Sequence, residues 1–89
     1  MGMMETTIEI PAQHEQNVFG QFDVFAKKIE RTLHVTLIAR GENIKIMGEA
    51  SKVEKARRVL TQLVELSKRG NIIQEQNVNY TLALVMEDS

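Results

Sequence analysis

Two stretches decide how this chain folds: FGQFDVFAKKIE (residues 19–30) and VTLIARGENIKIMGE (residues 35–49). In the first stretch, apolar residues recur at helical spacing after Gly20. The pattern predicts a helix from about Phe22 to Leu33, whose apolar stripe consists of Phe22, Phe25, Ala26, Ile29 and Leu33. The second stretch is rich in β-branched residues, then alternates, and is interrupted by Gly41. It predicts a β-hairpin between Val35 and Met47.

The residues before these stretches predict one strand and one helix. In TTIEIP, Ile8 and Ile10 alternate with Thr7 and Glu9, as in a short half-buried strand that Pro11 stops. The same proline suits the first position of a helix through AQHEQNVF, which Gly20 would end.

The residues after the hairpin predict a long helix and a second, shorter one. Ser51 and Glu54 have the spacing of a capping box, and the helix should bury Val53, Ala56, Leu60 and Leu63. Lys68, Arg69 and Gly70 suit its carboxyl end. The tail fits a helical period through Val78, Leu82 and Val85, and a strand period through Val78, Tyr80, Leu82 and Leu84. We predict a helix there.

Length and composition bound the fold class. Eighty-nine residues, 43% of them apolar, make one small domain. The element order predicts an α+β domain with a three-stranded antiparallel sheet, helices on one face and an additional C-terminal helix. We divide the chain into an N-terminal extension (1–5), the domain (6–70) and a C-terminal helical segment (71–89).

Charge is unevenly distributed along the chain. All 11 Lys and Arg lie between Phe19 and Gly70 together with six acids, so this middle part carries +5 and the flanks, with six acids, carry −6. A basic middle part is a weak indication of a polyanion partner, and solvated helix faces explain the same pattern. The chain has no Cys, which agrees with a cytoplasmic location, and no apolar run long enough to suggest a membrane span.

Sequence motifs of catalysis are absent. The chain contains no GxxxxGK[ST], GxGxxG, HExxH or GxSxG motif. His14 and His34 lie on different predicted elements, and the carboxylates are scattered singly, so we predict no catalytic residue and no metal site. What remains is Gly20 at a helix–helix junction, where free N–H groups at a helix start can hold phosphate. A simple helix-ending glycine explains the same position.

The order of elements and this junction resemble a K-homology (KH) domain of the βααββα type. The family pattern runs from an Ile-rich strand with a final Pro, through I-G-x-x-G-x-x-I-K-x-I-E, to a strand. Here IEIP (8–11), FGQFDVFAKKIE (19–30) and VTLIA (35–39) correspond to it. Gly20 takes the place of the first glycine, and Lys27, Ile29 and Glu30 match their counterparts.

A second resemblance is more specific. FGxxD, RTLHVTLIARGENIKIMGE and the helix end LSKRG are similar to the N-terminal KH-like domain of PhoH-like proteins, the phosphate-starvation-inducible family. The resemblance implies that this chain is a non-catalytic fragment whose parent carries a C-terminal P-loop ATPase domain. ATP and Mg²⁺ would bind that ATPase, and no cofactor is expected in these 89 residues. Homo-oligomerisation would also occur through the ATPase domain.

Asp23 departs from the KH pattern, because it stands where the second glycine of G-x-x-G is expected. Its side chain would block close approach of a nucleic-acid backbone, and its carboxylate would repel phosphate. A carboxylate at a helix start stabilises the helix itself, by about 0.3–1 kcal/mol. We therefore expect a degenerate clamp that binds single-stranded RNA weakly. The expected contact residues are Gly20, Gln21, Phe22, Lys27, Lys28, Arg31, Thr36, Ile38 and Arg40.

The alternative is a protein-interaction or assembly domain of the same ATPase that binds no nucleic acid. Asp23 favours it, and so does the acidic, apolar-rich tail. The tail has more apolar residues than one packed face needs, namely Ile72, Ile73, Tyr80, Leu84 and Met86.

Overall fold

The computed structural model describes residues 2–87. Met1, the first residue of the predicted extension, and residues 88–89, the last of the predicted tail, lie outside the described part. In chain order the elements are β1 (Met3–Glu9), α1 (Ala12–Phe19), a 3-10 turn (Gln21–Asp23), α2 (Val24–Leu33), β2 (Thr36–Arg40), β3 (Asn43–Glu49), α3 (Ala50–Lys68) and α4 (Glu75–Glu87). This confirms the predicted α+β class, the order of elements and the helical tail.

The three strands form one antiparallel sheet in the order β1-β3-β2. Strand β3 is central: Ile8 pairs with Ile44 on one side, and Leu37 pairs with Ile46 on the other. Because side chains alternate along a strand, Ile44 and Ile46 point to the same face, and both are fully buried. Helix α3 packs against β1 and β3, and α2 lies beside β2, so the helices cover this face.

The core lies between that face of the sheet and the helices. Helix α3 buries Val53, Ala56, Leu60 and Leu63 as predicted, together with Val59 and Val64. It is the hub of the helical layer, in contact with α1, α2 and α4. Helix α4 buries Val78, Leu82 and Val85 against this layer. Burying a Val or Leu side chain contributes about 1.5–3 kcal/mol, so α3 and α4 supply much of the stability of the fold.

Two predicted element boundaries and one residue of a predicted apolar stripe were wrong. Strand β1 begins at Met3 rather than Thr6, because Met3 to Glu5 continue the antiparallel pairing with β3 up to Glu49. Helix α2 begins at Val24, since the two preceding residues have left-handed backbone angles that no helix accommodates. Phe22 therefore does not belong to the apolar stripe, and its side chain is 82% exposed.

The predicted capping box at Ser51 was also wrong. Helix α3 begins at Ala50 directly after β3, and Glu49 takes the N-cap position without a side-chain cap. Ser51 lies inside the first turn, where its Oγ donates to Glu49 Oε1 at 3.0 Å. Glu54 pairs with Arg57 instead of the helix start.

Candidate functional site

The turn between α1 and α2 occupies the place of the G-x-x-G loop. Gly20 ends α1 with φ +81°, a value that L-residues rarely adopt, and its N–H donates to Gln16 O at 2.8 Å. Phe22 (φ +57°) and Asp23 (φ +59°) are left-handed as well. The position of the second KH glycine therefore has the backbone conformation that favours glycine, although Asp occupies it.

Gly20 is required by packing as well as by its backbone angle. An added Cβ would lie 2.7 Å from Phe25 Cδ2 and 3.0 Å from Val24 Cγ1. The glycine thus lets the first turn of α2 close against the end of α1. This packing explains the residue without any phosphate ligand.

The surface beside the turn is acidic. A shallow concavity there is lined by Gly20, Phe22 and Asp23 of the turn and by Glu15 and other residues of α1. Asp23 takes the N-cap position of α2 but makes no side-chain hydrogen bond to the helix start. Two acidic residues, Glu15 and Asp23, thus line this concavity, which opposes a close phosphate contact there.

Strand β2 places the predicted contact residues on the opposite side of the sheet from the helices. Thr36, Ile38 and Arg40 pair with Met47, Lys45 and Asn43, and cross-strand partners share a face. That face is the one the helices leave uncovered. Leu37 and Ala39 point toward the helical side, where Ala39 remains exposed because β2 is an edge strand. Sequence reasoning missed these two residues.

A side chain from α2 links that helix to the edge of β2. The N–H of Leu37 donates to Glu30 Oε2 at 2.8 Å, so Glu30 marks the flank of α2 that faces the strand. Lys27 lies one turn before Glu30 on that flank, and Arg31 is a helical neighbour of Lys27. Both basic side chains are exposed. The helical spacing therefore puts Lys27 on the flank of α2 that Glu30 turns toward β2, with Arg31 next to Lys27.

Lys28 belongs to a different surface. Its Nζ lies 3.3 Å from Glu75 Oε2 at the start of α4, and its side chain is 30% exposed. Among the predicted contact residues, Gly20, Gln21 and Phe22 form the turn, Lys27 and Arg31 follow it, and Lys28 points toward α4. Thr36, Ile38 and Arg40 occupy the uncovered face of the sheet.

A polar cluster between α1 and the end of α3 was not predicted from the sequence. Asn17 Nδ2 donates to Ser67 Oγ and to Asn71 O, both at 2.8 Å, and Asn17 Oδ1 accepts from the Ile73 N–H at 2.9 Å. His14 Nδ1 lies 2.8 Å from the same Ser67 Oγ. The cluster fixes the segment that connects α3 to α4, so His14 has a structural partner in the fold.

Residues 2–87 contain neither clustered metal ligands nor a membrane-spanning helix. No group of three or more His, Cys, Asp or Glu side chains in this range is placed to hold a metal ion. In the same range, no helix combines the length and the hydrophobicity needed to cross a bilayer.

Two solved structures superpose on this fold over nearly the whole chain. A protein of unknown function from Aeropyrum pernix superposes with a TM-score of 0.77 at 14% identity, over 97% of this chain and 48% of that chain. A chain in the crystal structure of an a/eIF2alpha-aDim2p-rRNA complex from Pyrococcus horikoshii superposes with a TM-score of 0.76 at 19% identity, over 99% of this chain and 49% of that chain. These likenesses establish the KH-like fold.

Sequence relatives identify the family, although no family model matches the chain. A PhoH-like protein of Bacillus subtilis is 32% identical over 72 residues, which are 81% of this chain and 23% of that protein. A PhoH-like protein of Mycobacterium tuberculosis is 25% identical over 83 residues, which are 93% of this chain and 24% of that protein. This chain is therefore a homologue of the PhoH-like proteins, matched over most of its own length and about a quarter of theirs.

Proposed function

We propose that this chain is a non-catalytic, KH-like module of a PhoH-like protein and binds single-stranded RNA weakly beside the edge of β2. The observation that carries the proposal is the hydrogen bond from the Leu37 N–H to Glu30, which turns the flank of α2 that also carries the exposed Lys27 toward the edge strand β2. One structural neighbour was solved in a complex with rRNA, which supports RNA as the ligand. We also propose that the parent protein has an ATPase domain that binds ATP and Mg²⁺, and this part of the proposal rests on the family resemblance.

The proposed groove differs from the set of residues predicted from the sequence. Lys27 and Arg31 would contact phosphates, while Leu37 and Ala39 would form an apolar floor for a base. Thr36 and Ile38 lie outside this groove, on the other face of the sheet. Asp23 and Glu15 keep the sugar-phosphate backbone away from the turn, so binding relies on two cations and is weak.

Two cations predict a characteristic salt dependence. On a single strand, each neutralised phosphate contributes a slope of roughly −0.7 to the plot of log affinity against log salt, so the expected total is about −1.4. The test is an NMR titration of the 89-residue chain with short single-stranded RNAs at low and moderate salt. We expect salt-sensitive shifts at residues 27–31 and 37–40.

Matched variants distinguish the groove from general charge effects. Lys27→Gln should reduce the salt slope by about 0.7. Lys28→Gln removes the same charge from the adjacent residue, but this side chain is paired with Glu75, so the slope should stay the same. RNA binding in this groove would be contradicted if no chemical shift changed at millimolar RNA. It would also be contradicted if the two variants changed the salt slope equally.

A second candidate function is protein docking within the parent protein. The observation that favours it is the exposure of large apolar side chains on α4, where Tyr80 is 67% exposed and Met86 is 50% exposed. Both functions can coexist, because the edge of β2 and the outer surface of α4 are different surfaces of the domain.

A further inference from the structure

Strand β1 forms one edge of the sheet, and its outer side has no strand partner within residues 2–87. At the two ends of the strand, the Ile10 N–H donates to Glu42 O at 2.8 Å and the Ala50 N–H donates to Gly2 O at 3.2 Å. Both bonds continue the register between β1 and β3. Because bonded and non-bonded pairs alternate in an antiparallel ladder, the even-numbered residues of β1 direct their N–H and C=O groups toward β3. The remaining residues direct theirs to the free edge: Met3, Glu5, Thr7 and Glu9.

The opposite edge of the sheet is shorter and partly occupied. Alternate residues of β3 face β1 and β2, so in the five-residue strand β2 the outward backbone groups belong to Leu37 and Ala39. The outward N–H of Leu37 already donates to Glu30 Oε2 at 2.8 Å. Strand β1 has seven residues in unbroken register with β3, and it contains no Lys, no Pro and no bulge, which are devices that keep edge strands apart. The free edge of β1 is therefore the more open of the two.

Two copies of β1 can pair antiparallel in one register that keeps like charges apart. With Thr6 opposite Thr6 of the second copy, all seven residues overlap. On the uncovered face of the sheet, Glu5 of each copy then faces Thr7 of the other, and Glu9 faces Met3. A shift by two residues places Glu5 opposite Glu5 in one direction and Glu5 opposite Glu9 in the other. Like charges directly opposite one another destabilise a sheet, so the acids of β1 select the first register.

The same register also suits the helical side of the sheet. Met4, which is 40% exposed, faces the half-buried Ile8 of the second copy there. Helix α3 packs against both β1 and β3, so it lies over these two strands. With strands about 4.8 Å apart, the α3 helices of the two copies would lie about 10 Å apart, which is a normal packing distance for helices. Helix α3 thus leaves room for the second copy.

We propose that a second copy of this chain pairs antiparallel with the free edge of β1, so that the two sheets join into one. The four outward residues of each strand form pairs that exchange two bonds each, about eight backbone hydrogen bonds in total. Stable interfaces bury about 1,200–2,000 Å², and an edge of seven residues buries less, so the dissociation constant should be on the order of 100 μM. The proposal is independent of RNA binding, because it leaves the edge of β2 free.

Sedimentation and amide hydrogen exchange of the 89-residue chain test the proposal together. Sedimentation between about 10 μM and 1 mM should show a monomer–dimer equilibrium. Over the same range, exchange at the Glu5 and Thr7 amides should slow about threefold or more, because their N–H groups become bonded in the dimer. Exchange at Thr6 and Ile8 should not change, since their N–H groups already bond to β3.

Two substitutions at Thr7 test the register. In Thr7→Lys each new cation faces Glu5 of the second copy, so the two pairs should lower the dissociation constant about fivefold. In Thr7→Glu an acid faces an acid twice, and the constant should rise by about the same factor. Within one chain the charge effect is reversed, because residue 7 pairs with Lys45 of β3. A loss of the dimer in Thr7→Glu therefore cannot come from a loss of folding.

The matched control is Thr36→Glu, which adds the same charge to an exposed position on the same face of the sheet, but on β2. Its association should equal that of the parent chain. If Thr36→Glu weakens the dimer as much as Thr7→Glu, the copies meet through the face of the sheet and pairing at the β1 edge is refuted. A chain that remains monomeric at about 1 mM also overturns the proposal. So does a dimer in which the Glu5 and Thr7 amides exchange as fast as in the monomer.

Discussion

Substituting Asp23 tests the clamp most directly, because the residue combines a charge, a side chain and a left-handed backbone at the position of the second KH glycine. In Asp23→Asn only the charge is removed, and Asn tolerates the left-handed conformation. In Asp23→Gly the side chain is removed as well, on a backbone with φ +59° that suits glycine. The two variants therefore separate repulsion of phosphate from steric exclusion of the nucleic-acid backbone.

The magnitudes follow from simple electrostatics. A carboxylate about 6 Å from a phosphate in water opposes it by about 0.7 kcal/mol, which corresponds to a factor of about three in affinity. Asp23→Asn should therefore strengthen RNA binding about threefold. Asp23→Gly should strengthen it roughly fifteen- to twentyfold, because a backbone N–H can then reach a phosphate oxygen for about 1 kcal/mol more.

The stability of the domain should hardly change in Asp23→Gly. Relief of left-handed strain, about 1 kcal/mol, is offset by the larger conformational entropy of glycine in the unfolded chain, about 0.5–1 kcal/mol. The melting temperature should then stay within about 4 °C of that of the parent chain. Dissociation constants come from the NMR titration at fixed salt, and melting from circular dichroism. Unchanged affinity in both variants would refute the idea that Asp23 keeps phosphate away from this turn.

Three further predictions concern stability. Gly20→Ala should lower the free energy of unfolding by about 2–4 kcal/mol, because left-handed backbone strain and the clash with the Phe25 ring add up. The control is Gly41→Ala, where φ is +61° and no atom lies within 4 Å of the added Cβ. It should lower the free energy of unfolding by only about 1–2 kcal/mol. Asn17→Ala removes three hydrogen bonds and should cost about 2–3 kcal/mol in urea unfolding. The hydrogen bond from Arg57 lowers the pKa of Glu54, so this pair stabilises the fold above the ordinary carboxylate pKa and loses its effect as acid protonates Glu54. Arg57→Ala should therefore cost at most about 0.5 kcal/mol at neutral pH and nothing in strong acid.

Each of these three predictions has an outcome that contradicts it. Equal effects of Ala at positions 20 and 41 would mean that the Phe25 contact does not restrict the glycine. A stability loss below about 1 kcal/mol for Asn17→Ala would show that water replaces its hydrogen bonds. A cost of Arg57→Ala that persists in strong acid would show that the arginine stabilises α3 by something other than its pair with Glu54.

Local signals in the sequence were sufficient for most of the fold. The turn at Gly41 and the alternation in NIKIM specify the hairpin, and the helical spacing from Val53 to Leu63 specifies the buried side of α3. These signals need no knowledge of the rest of the chain. The start of β1 was missed because MMET carries no strand pattern of its own, and its pairing with β3 is a tertiary effect.

The site was harder to predict for a different reason. Strand β2 has apolar residues at Leu37, Ile38 and Ala39 in succession, so alternation cannot decide which of them face the helices. Only the pairing with β3 assigns Leu37 and Ala39 to the helical side. Phe22 was assigned to the core by its spacing, and a positive φ at a phenylalanine has no signature in sequence.

The position of β1 in the sheet has a kinetic consequence. Strand β1 pairs only with β3, which enters the chain after both α1 and α2, whereas β2 and β3 are joined by a tight turn. Closing the long loop between β1 and β3 is slow and entropically unfavourable compared with closing the hairpin. A ribosome releases β1 before β2 and β3, yet in this sheet β1 has no partner until β3 has emerged. The strand synthesised first is thus expected to be the last of the three to pair.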